Sequence, residues 1–308
     1  TSIVILSLFI FGSYEVNKNN KKLGEVNDKV FIKIISPNFD LKYGLTEEEI
    51  EERFKKLIRY SNPIKDQKTV FIWPEGVFSG YSYKDISIFK EMISEKFSKK
   101  HFIIFGANTL DPISGKFFNS MLAVDNNFKI IQSYNKRKLV PFGEFLPFES
   151  FLNNFGLKKI TEGHGSFLKG EKNKNLLIEN LNILPLICYE VIFTDLIQKS
   201  TKDTNMIINI SEDGWFGESI GPDQHFSKSV FRAIENDTFF LRSTNQGVSA
   251  IIDNKGNIIK QLDRNEAGNI EFEVPLIKSN KIKNDLIFFI LLITYLFIFL
   301  IYKEKNAK

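Results

Sequence analysis

The chain has 308 residues, 43% of them hydrophobic and 25% charged, enough to bury the core of one large domain or two modest ones and to exclude global disorder. The formal net charge is only +4 and the lysines are scattered, so no electrostatic footprint for nucleic acid is present and that class of partner is set aside. The single cysteine excludes an intramolecular disulfide, and His101, His164 and His225 stand far apart with no second ligand at metal spacing, so no metal is expected.

The N-terminal stretch TSIVILSLFIFGSYEV is apolar from Ile3 to Phe11 and carries neither an initiator Met nor the basic region of a signal peptide. It reads as the cut end of a membrane span, which makes residues 1 to 16 the end of a transmembrane helix and the whole chain an expected fragment. A globular domain is expected over residues 17 to 280. VFIKII (30 to 35), TVFIW (69 to 73), HFIIFGA (101 to 107), ILPLIC (183 to 188), MIINI (206 to 210) and TFFLRS (238 to 243) read as strands buried on both faces. Thr46 and Glu49 form a capping box ahead of a helix whose apolar stripe is Ile50, Phe54, Leu57 and Ile58. Ile86, Phe89, Ile93 and Phe97 repeat the stripe over Asp85 to Phe97. AVDNNFKIIQSY is strand-like, and VSAIIDNKGNIIKQL predicts a hairpin around Asn254, Lys255 and Gly256. Strands alternating with helices, plus hairpins, predict an α/β sandwich with a mixed sheet.

Leu286 to Tyr302 is an uncharged run flanked by Lys281, Lys283 and Asp285 and by KEKNAK, which places a C-terminal transmembrane helix and short tail in residues 281 to 308. A buried core helix is the other reading, but its polar positions are only Thr294 and two tyrosines. Orientation stays open on charge alone. Lys303, Lys305 and Lys308 favour a cytoplasmic tail, whereas Lys18, Lys21 and Lys22 pull the other way.

Several apolar runs end in polar clusters: Glu75 after FIWP, Cys188 and Glu190 after PLI, Asp213 after IINISE, Asn245 after FLRST. Ligands of open α/β sheets bind beyond the carboxyl ends of strands, so one crevice is expected to gather these groups. Taken singly, Glu75 reads as a loop carboxylate, Lys136 as a solvated lysine and Cys188 as a core residue. Together, a carboxylate base, a fixed ammonium and a thiol at three strand ends are what acyl transfer through a thioester needs. The rigid Pro-Gly loop LVPFGEFLP holds a further carboxylate, Glu144. With no histidine near Cys188 in sequence, Glu75, Lys136 and Cys188 fill the catalytic roles.

WPE at 73 to 75, YNKRKLVPFGEFLP at 134 to 147, ICYEVIF at 187 to 193, DGWFG at 213 to 217, GPDQHFSKSVFRAIE at 221 to 235 and RSTNQGVSAIID at 242 to 253 resemble the nitrilase superfamily of carbon-nitrogen hydrolases. Within it they are similar to the apolipoprotein N-acyltransferase family of bacterial inner membranes. The resemblance implies a nitrilase-like αββα sandwich facing the periplasm, with Glu75 as general base, Lys136 stabilising the oxyanion and Cys188 as nucleophile. It also implies that Glu144, Tyr189, Glu190 and Trp215 shape the site. The implied reaction moves an acyl chain from a phospholipid, typically phosphatidylethanolamine, to the cysteine and on to the α-amine of a lipoprotein's diacylglyceryl-cysteine, with no metal or cofactor.

The chain departs from the family pattern in three places: Ser36 and Pro37 where a Gln is usual, Tyr43 where Trp is frequent, and Glu212 where Asn is usual. FLPFESFLNNFGL, 145 to 157, is expected to be either a lid touching the membrane interface or an apolar cluster packed on the core. Two other functions stay open on these residues: a membrane-tethered amidase or nitrilase acting on a small amide, and a non-catalytic binding module.

Overall fold

The computed structural model describes residues 2–23, 26, 28–148, 165–171, 175–198, 204–277 and 285–306. Twelve strands among them form two six-stranded mixed sheets. The first sheet runs β12-β1-β2-β3-β4-β5, built from β1 (Lys29–Ser36), β2 (Thr69–Ile72), β3 (His101–Leu110), β4 (Phe117–Val124), β5 (Ile130–Asn135) and β12 (Gly268–Pro275). The second runs β11-β10-β9-β8-β7-β6, from β6 (Leu176–Ile178), β7 (Leu181–Ile187), β8 (Met206–Glu212), β9 (Phe239–Asn245), β10 (Ser249–Ile252) and β11 (Ile258–Leu262). Each has three parallel strands at its centre, β1-β2-β3 and β7-β8-β9, and antiparallel strands outside them.

The layering follows from the two-residue period of the strands. On β1, Val30, Ile32 and Ile34 enter the core between the sheets, and on β8 Met206, Ile208 and Ile210 meet them there. The opposite faces are covered by helices. Ile50, Phe54 and Leu57 of helix Glu47–Ser61 pack with Phe71, Trp73 and Phe105 of the first sheet, and Ala233 of helix Gly221–Asn236 packs with Ile207 and Phe240 of the second. The result is the expected αββα sandwich, and burial on both faces explains why the central strands are continuous apolar runs. Thr46 caps its helix through the full capping box with Glu49.

Two local expectations need correcting. The helix expected over Asp85 to Phe97 is in three pieces: Tyr83–Ile86, a 3₁₀ turn Ser87–Phe89, and Lys90–Lys96. Ser82 caps the first piece with Asp85, and the Ser87 hydroxyl donates back to the Lys84 carbonyl at 2.7 Å, a local bond that competes with a continuous helix. Ile86, Ile93 and Phe97 are nonetheless buried as the stripe requires. The strand-like AVDNNFKIIQSY is the end of β4, a turn and β5, because Asp125 accepts from the Asn127 and Lys129 amides and closes the chain on itself.

Both ends are helical, Ser2–Leu23 and Asp285–Asn306, with large apolar side chains exposed, among them Phe9, Phe11, Phe289, Phe297 and Tyr302. Among the described residues no helix is long and apolar enough to cross a membrane. The uncharged run Leu286 to Tyr302 would rise about 25 Å as a helix, short of a hydrocarbon core of about 30 Å.

Candidate active site

The carboxyl ends of the parallel strands of both sheets open on one cavity of about 460 Å³ lined by Glu75, Lys136, Glu144, Cys188, Tyr189, Glu212 and Trp215 among others. The first sheet supplies its charges. Glu75 follows β2 through Trp73 and Pro74, and Gly106 lets β3 pass beneath it: a Cβ there would lie 2.9 Å from the Glu75 Cα. Lys136 follows β5, almost fully buried, with Nζ 2.9 Å from Glu144 Oε1 and 3.6 Å from Glu75 Oε1. Burial works to discharge this ammonium, and the carboxylates of Glu144 and Glu75 outweigh it, holding Lys136 protonated beyond the ordinary lysine range. Asn119 on β4 donates from Nδ2 to both Glu75 Oε1 and Glu144 Oε1, each at 2.7 Å, and so fixes the two carboxylates on either side of the lysine. The Val140 amide donates to Glu144 Oε2 at 2.9 Å, closing the LVPFGE loop on its own carboxylate.

The second sheet supplies the nucleophile. Cys188 stands between β7 and the 3₁₀ turn Cys188–Ile192 with φ of +48°, a left-handed conformation that costs a non-glycine residue about 1–3 kcal/mol and therefore needs support from its surroundings. Burial, and then the Glu75 charge, push its thiol up to about 12, against the pull of Lys136. At neutral pH the thiol keeps its proton, so attack requires a base beside it.

Glu190 has no exposed surface and does not line the cavity. Its Oε2 accepts from the Ile187 amide at 2.9 Å, while Oε1 accepts from Tyr134 Oη at 2.8 Å and from the Arg137 and Lys138 amides at 2.7 and 3.1 Å. One carboxylate thus ties the turn that carries Cys188 to the turn that carries Lys136. Burial raises its pKa, and these donors pull against the rise.

The expectation that a single crevice gathers every strand-end group is corrected in part. Glu75 and Cys188 reach the cavity, but Asp213, Asn245 and Glu190 are buried behind it. Asp213 is held by Arg242 Nη2 at 2.7 Å, the Ser211 hydroxyl at 2.7 Å and His225 Nδ1 at 3.1 Å, which together outweigh burial and depress its pKa well below the carboxylate range. Asn245 bonds both the amide and the carbonyl of Phe39 and donates to Glu212 Oε2. Tyr189 lies edge-on to Phe193, and Trp215, 47% exposed, meets Tyr43 at a centroid distance of 5.8 Å. Of the departing residues, Tyr43 and Glu212 line the cavity, whereas Ser36 is buried against the carbonyls of Thr244 and Glu266. Glu212 donates its amide to Glu75 Oε2 at 3.2 Å. Residues 149 to 157 of the expected lid lie outside the described residues; of its described part, Leu146 is buried and Phe148 exposed.

Asn119, Ser211, His225 and Arg242 are not singled out by the sequence reading, although all but Ser211 carry a signal. Asn119 and Arg242 are polar residues that directly follow apolar residues in their strands, and His225, Ser229, Arg232 and Asn236 repeat at core spacing on one helix.

Comparison with known proteins agrees with this architecture. An apolipoprotein N-acyltransferase of Rhodopseudomonas palustris is 30% identical over 285 residues, covering 88% of this chain and 52% of that protein. The enzyme of the same name from Rhizobium leguminosarum is 35% identical over 210 residues, 67% of this chain and 39% of that protein. The chain spans about half the length of these curated relatives or less. Among solved structures, a carbon-nitrogen hydrolase from Helicobacter pylori superposes with a TM-score of 0.60 at 12% identity, over 80% of this chain and 89% of that one. Nit3 of Saccharomyces cerevisiae, a member of the nitrilase superfamily, gives 0.58 at 17% identity, over 81% and 91%. Residues 42–283 match the family described as carbon-nitrogen hydrolase, and a match of that extent on this sandwich makes the chain a member of the carbon-nitrogen hydrolase family.

Proposed function

We propose that the chain moves a fatty acyl group from a phospholipid to the α-amine of diacylglyceryl-cysteine in lipoproteins, through a thioester on Cys188. In the first half, Glu75 takes the thiol proton as Sγ adds to the ester carbonyl, with Lys136 and strand-end backbone N–H groups stabilising the oxyanion. The C–O bond to the glycerol breaks and Glu75 returns the proton to the leaving lysophospholipid oxygen. In the second half the amine nitrogen adds to the thioester carbonyl, its proton passes to Glu75, the C–S bond breaks and the proton returns to the thiolate. Glu144 holds Lys136, Glu190 joins the two turns, and Tyr189 and Trp215 contribute apolar wall for the acyl chain.

The observation that carries this reading is the convergence of a protonated thiol, a buried ammonium and a carboxylate on one largely apolar cavity. A lipid substrate is supported by the relatives' name and by apolar surface in two places. Trp215 and Phe216 line the cavity and are exposed, Phe142 is exposed between the lining residues Pro141 and Gly143, and the terminal helices are apolar and exposed. We take residues 1 to 16 and 281 to 308 as membrane segments and 17 to 280 as the catalytic domain, on the periplasmic side of a bacterial inner membrane. Tethering there raises the effective concentration of both lipid substrates.

Incubation of the protein in detergent with phosphatidylethanolamine and no acceptor tests the proposal by intact-protein mass spectrometry. A gain of one fatty acyl group, reversed by hydroxylamine and absent from Cys188→Ala, is the expected result; no adduct on folded protein overturns it. Hydrolysis of a small amide is the second reading, favoured by the match to the hydrolase family as a whole. It predicts that the acyl-enzyme decays in water as fast as it does with a lipidated amine present.

A further inference from the structure

We propose that His225 is a positioning residue that holds the Cys188–Tyr189 peptide from behind and so turns the Tyr189 N–H toward the developing oxyanion. His225 projects from helix Gly221–Asn236 and is 5% exposed; it does not line the cavity. Its Nε2 lies 3.1 Å from the Cys188 carbonyl oxygen. A carbonyl only accepts, so Nε2 carries a proton and donates. On the other side of the ring, Nδ1 lies 3.0 Å from Arg242 Nη2 and 3.1 Å from Asp213 Oδ1. Nδ1 thus stands between a donor, Arg242, and an acceptor, Asp213, and the donation from Nε2 to Cys188 is the same with either as its partner. Asp213 also holds Arg242, through the 2.7 Å bond from Nη2 to Oδ2, so the ring is backed by an ion pair that is itself buried.

The consequence lies in peptide geometry. No peptide bond of the described chain is cis, so the C=O of Cys188 and the N–H of Tyr189 point in opposite directions across a planar unit. A clamp on the carbonyl from the helix side turns the N–H away from His225. The clamp also acts where it is most needed, on the residue whose φ of +48° would relax toward the favoured region without support. Glu190 secures the preceding amide, Ile187 N, so the nucleophile's turn is held on both sides.

The inference rests on Cys188 being the acyl-accepting nucleophile, and its test separates the two. Cys188 is treated either with p-nitrophenyl butyrate, whose acyl transfer needs oxyanion stabilisation, or with iodoacetamide, whose displacement at carbon does not. His225→Leu removes the donor, and His225→Gln keeps an N–H where Nε2 was. In the Leu variant acylation is expected to slow about 10- to 100-fold, the range of a weakened oxyanion donor, with alkylation slowed by less than about 3-fold. The Gln variant is expected to recover most of the loss. Unchanged acylation in the Leu variant, or equal slowing of both reagents, overturns the clamp. If the unsubstituted protein is alkylated but never acylated, the nucleophile reading falls and the clamp with it. Should the Leu variant fail to fold, His225→Asn serves in its place: its amide ends short of the Cys188 carbonyl, so loss of acylation with alkylation retained is again required.

Discussion

The two sheets contribute unlike halves to one site. The first offers groups that face the cavity and hold opposite charges: Lys136 stands between Glu75 and Glu144, whose side chains are each 13% exposed. The second offers Cys188 in front and, behind it, Asp213, His225 and Arg242 in a network that has almost no contact with solvent. Charge at the cavity wall can act on a substrate, whereas charge behind the nucleophile can only orient it. The lesson is that the same kind of ion pair has different work in the two places, and mutation should separate chemistry from framework.

Lys136→Met should have the largest effect. It takes the cation from the first-sheet half and leaves Glu75 and Glu144 facing each other across Asn119. Acylation of Cys188 is expected to fall about 10³-fold, as when an oxyanion donor is lost. The loss of stability should be modest, because both carboxylates border the cavity and can take up water. Stopped-flow acylation and thermal unfolding of the same sample check both parts. A large loss of stability with acylation intact would remove the distinction between the halves.

Asp213→Asn should show the opposite balance. The Arg242 side chain is wholly buried, its pairing with Asp213 is charge to charge, and a guanidinium cannot shed its proton. Breaking such a pair from one side costs about 3–5 kcal/mol, measurable by denaturant titration. Protein that remains folded should keep Lys136 and Glu75 in place and retain part of its acylation rate. A variant as stable as the parent would show that the rear network is not the framework it is taken to be.

Legibility in the sequence divides along the same line. The central strands and the capped helix Glu47–Ser61 could be read because burial on both faces writes continuous apolar runs and because a capping box is a local signal. Glu75, Lys136, Glu144 and Cys188 could be read because each ends a strand or a Pro-Gly loop, where side chains are free to face a ligand. The rear network could not be read in the same way. His225 lies 37 residues from Cys188, and the contact between them depends on a helix crossing over strand ends, which no local pattern encodes. The resemblance implies that Glu190 shapes the site, but three of its four donors, Tyr134, Arg137 and Lys138, lie 50 or more residues away in sequence. The broken helix Tyr83–Lys96 shows the remaining limit: the apolar spacing survives a 3₁₀ turn, so periodicity alone does not reveal the break.

The subtlest test concerns Glu212, which lies where the halves meet. Its amide belongs to the second sheet and bonds Glu75 of the first, and its side chain packs beneath Gly76, where a Cβ would come within 2.8 Å of Oε2. Burial pushes its carboxyl up to about 8, against the Asn245 and Gly214 donors, with Glu75 and Asp213 adding like charge; Arg53 is the cation that feels it. The unfolded chain releases this proton near 4.5, so between about 4.5 and 8 the folded state binds more protons than the unfolded one. Stability should therefore be greatest below that window, fall as pH rises through it, with a slope of up to about 1.4 kcal/mol per pH unit from this one group, and level off above 8. Glu212→Gln abolishes the titration, but it is not a neutral exchange. Both oxygens of Glu212 accept, from Gly214 N at 2.9 Å and Asn245 Nδ2 at 2.7 Å, and Asn245 cannot turn round because Phe39 bonds both ends of its amide. A glutamine must set its own NH₂ against one of those donors, at a cost of about 1–3 kcal/mol. The variant should thus start lower at pH 5 and lose less by pH 8, so the two unfolding curves approach each other as pH rises. The slope, not the level, is diagnostic, and parallel curves would mean that Glu212 is already ionised in the folded protein.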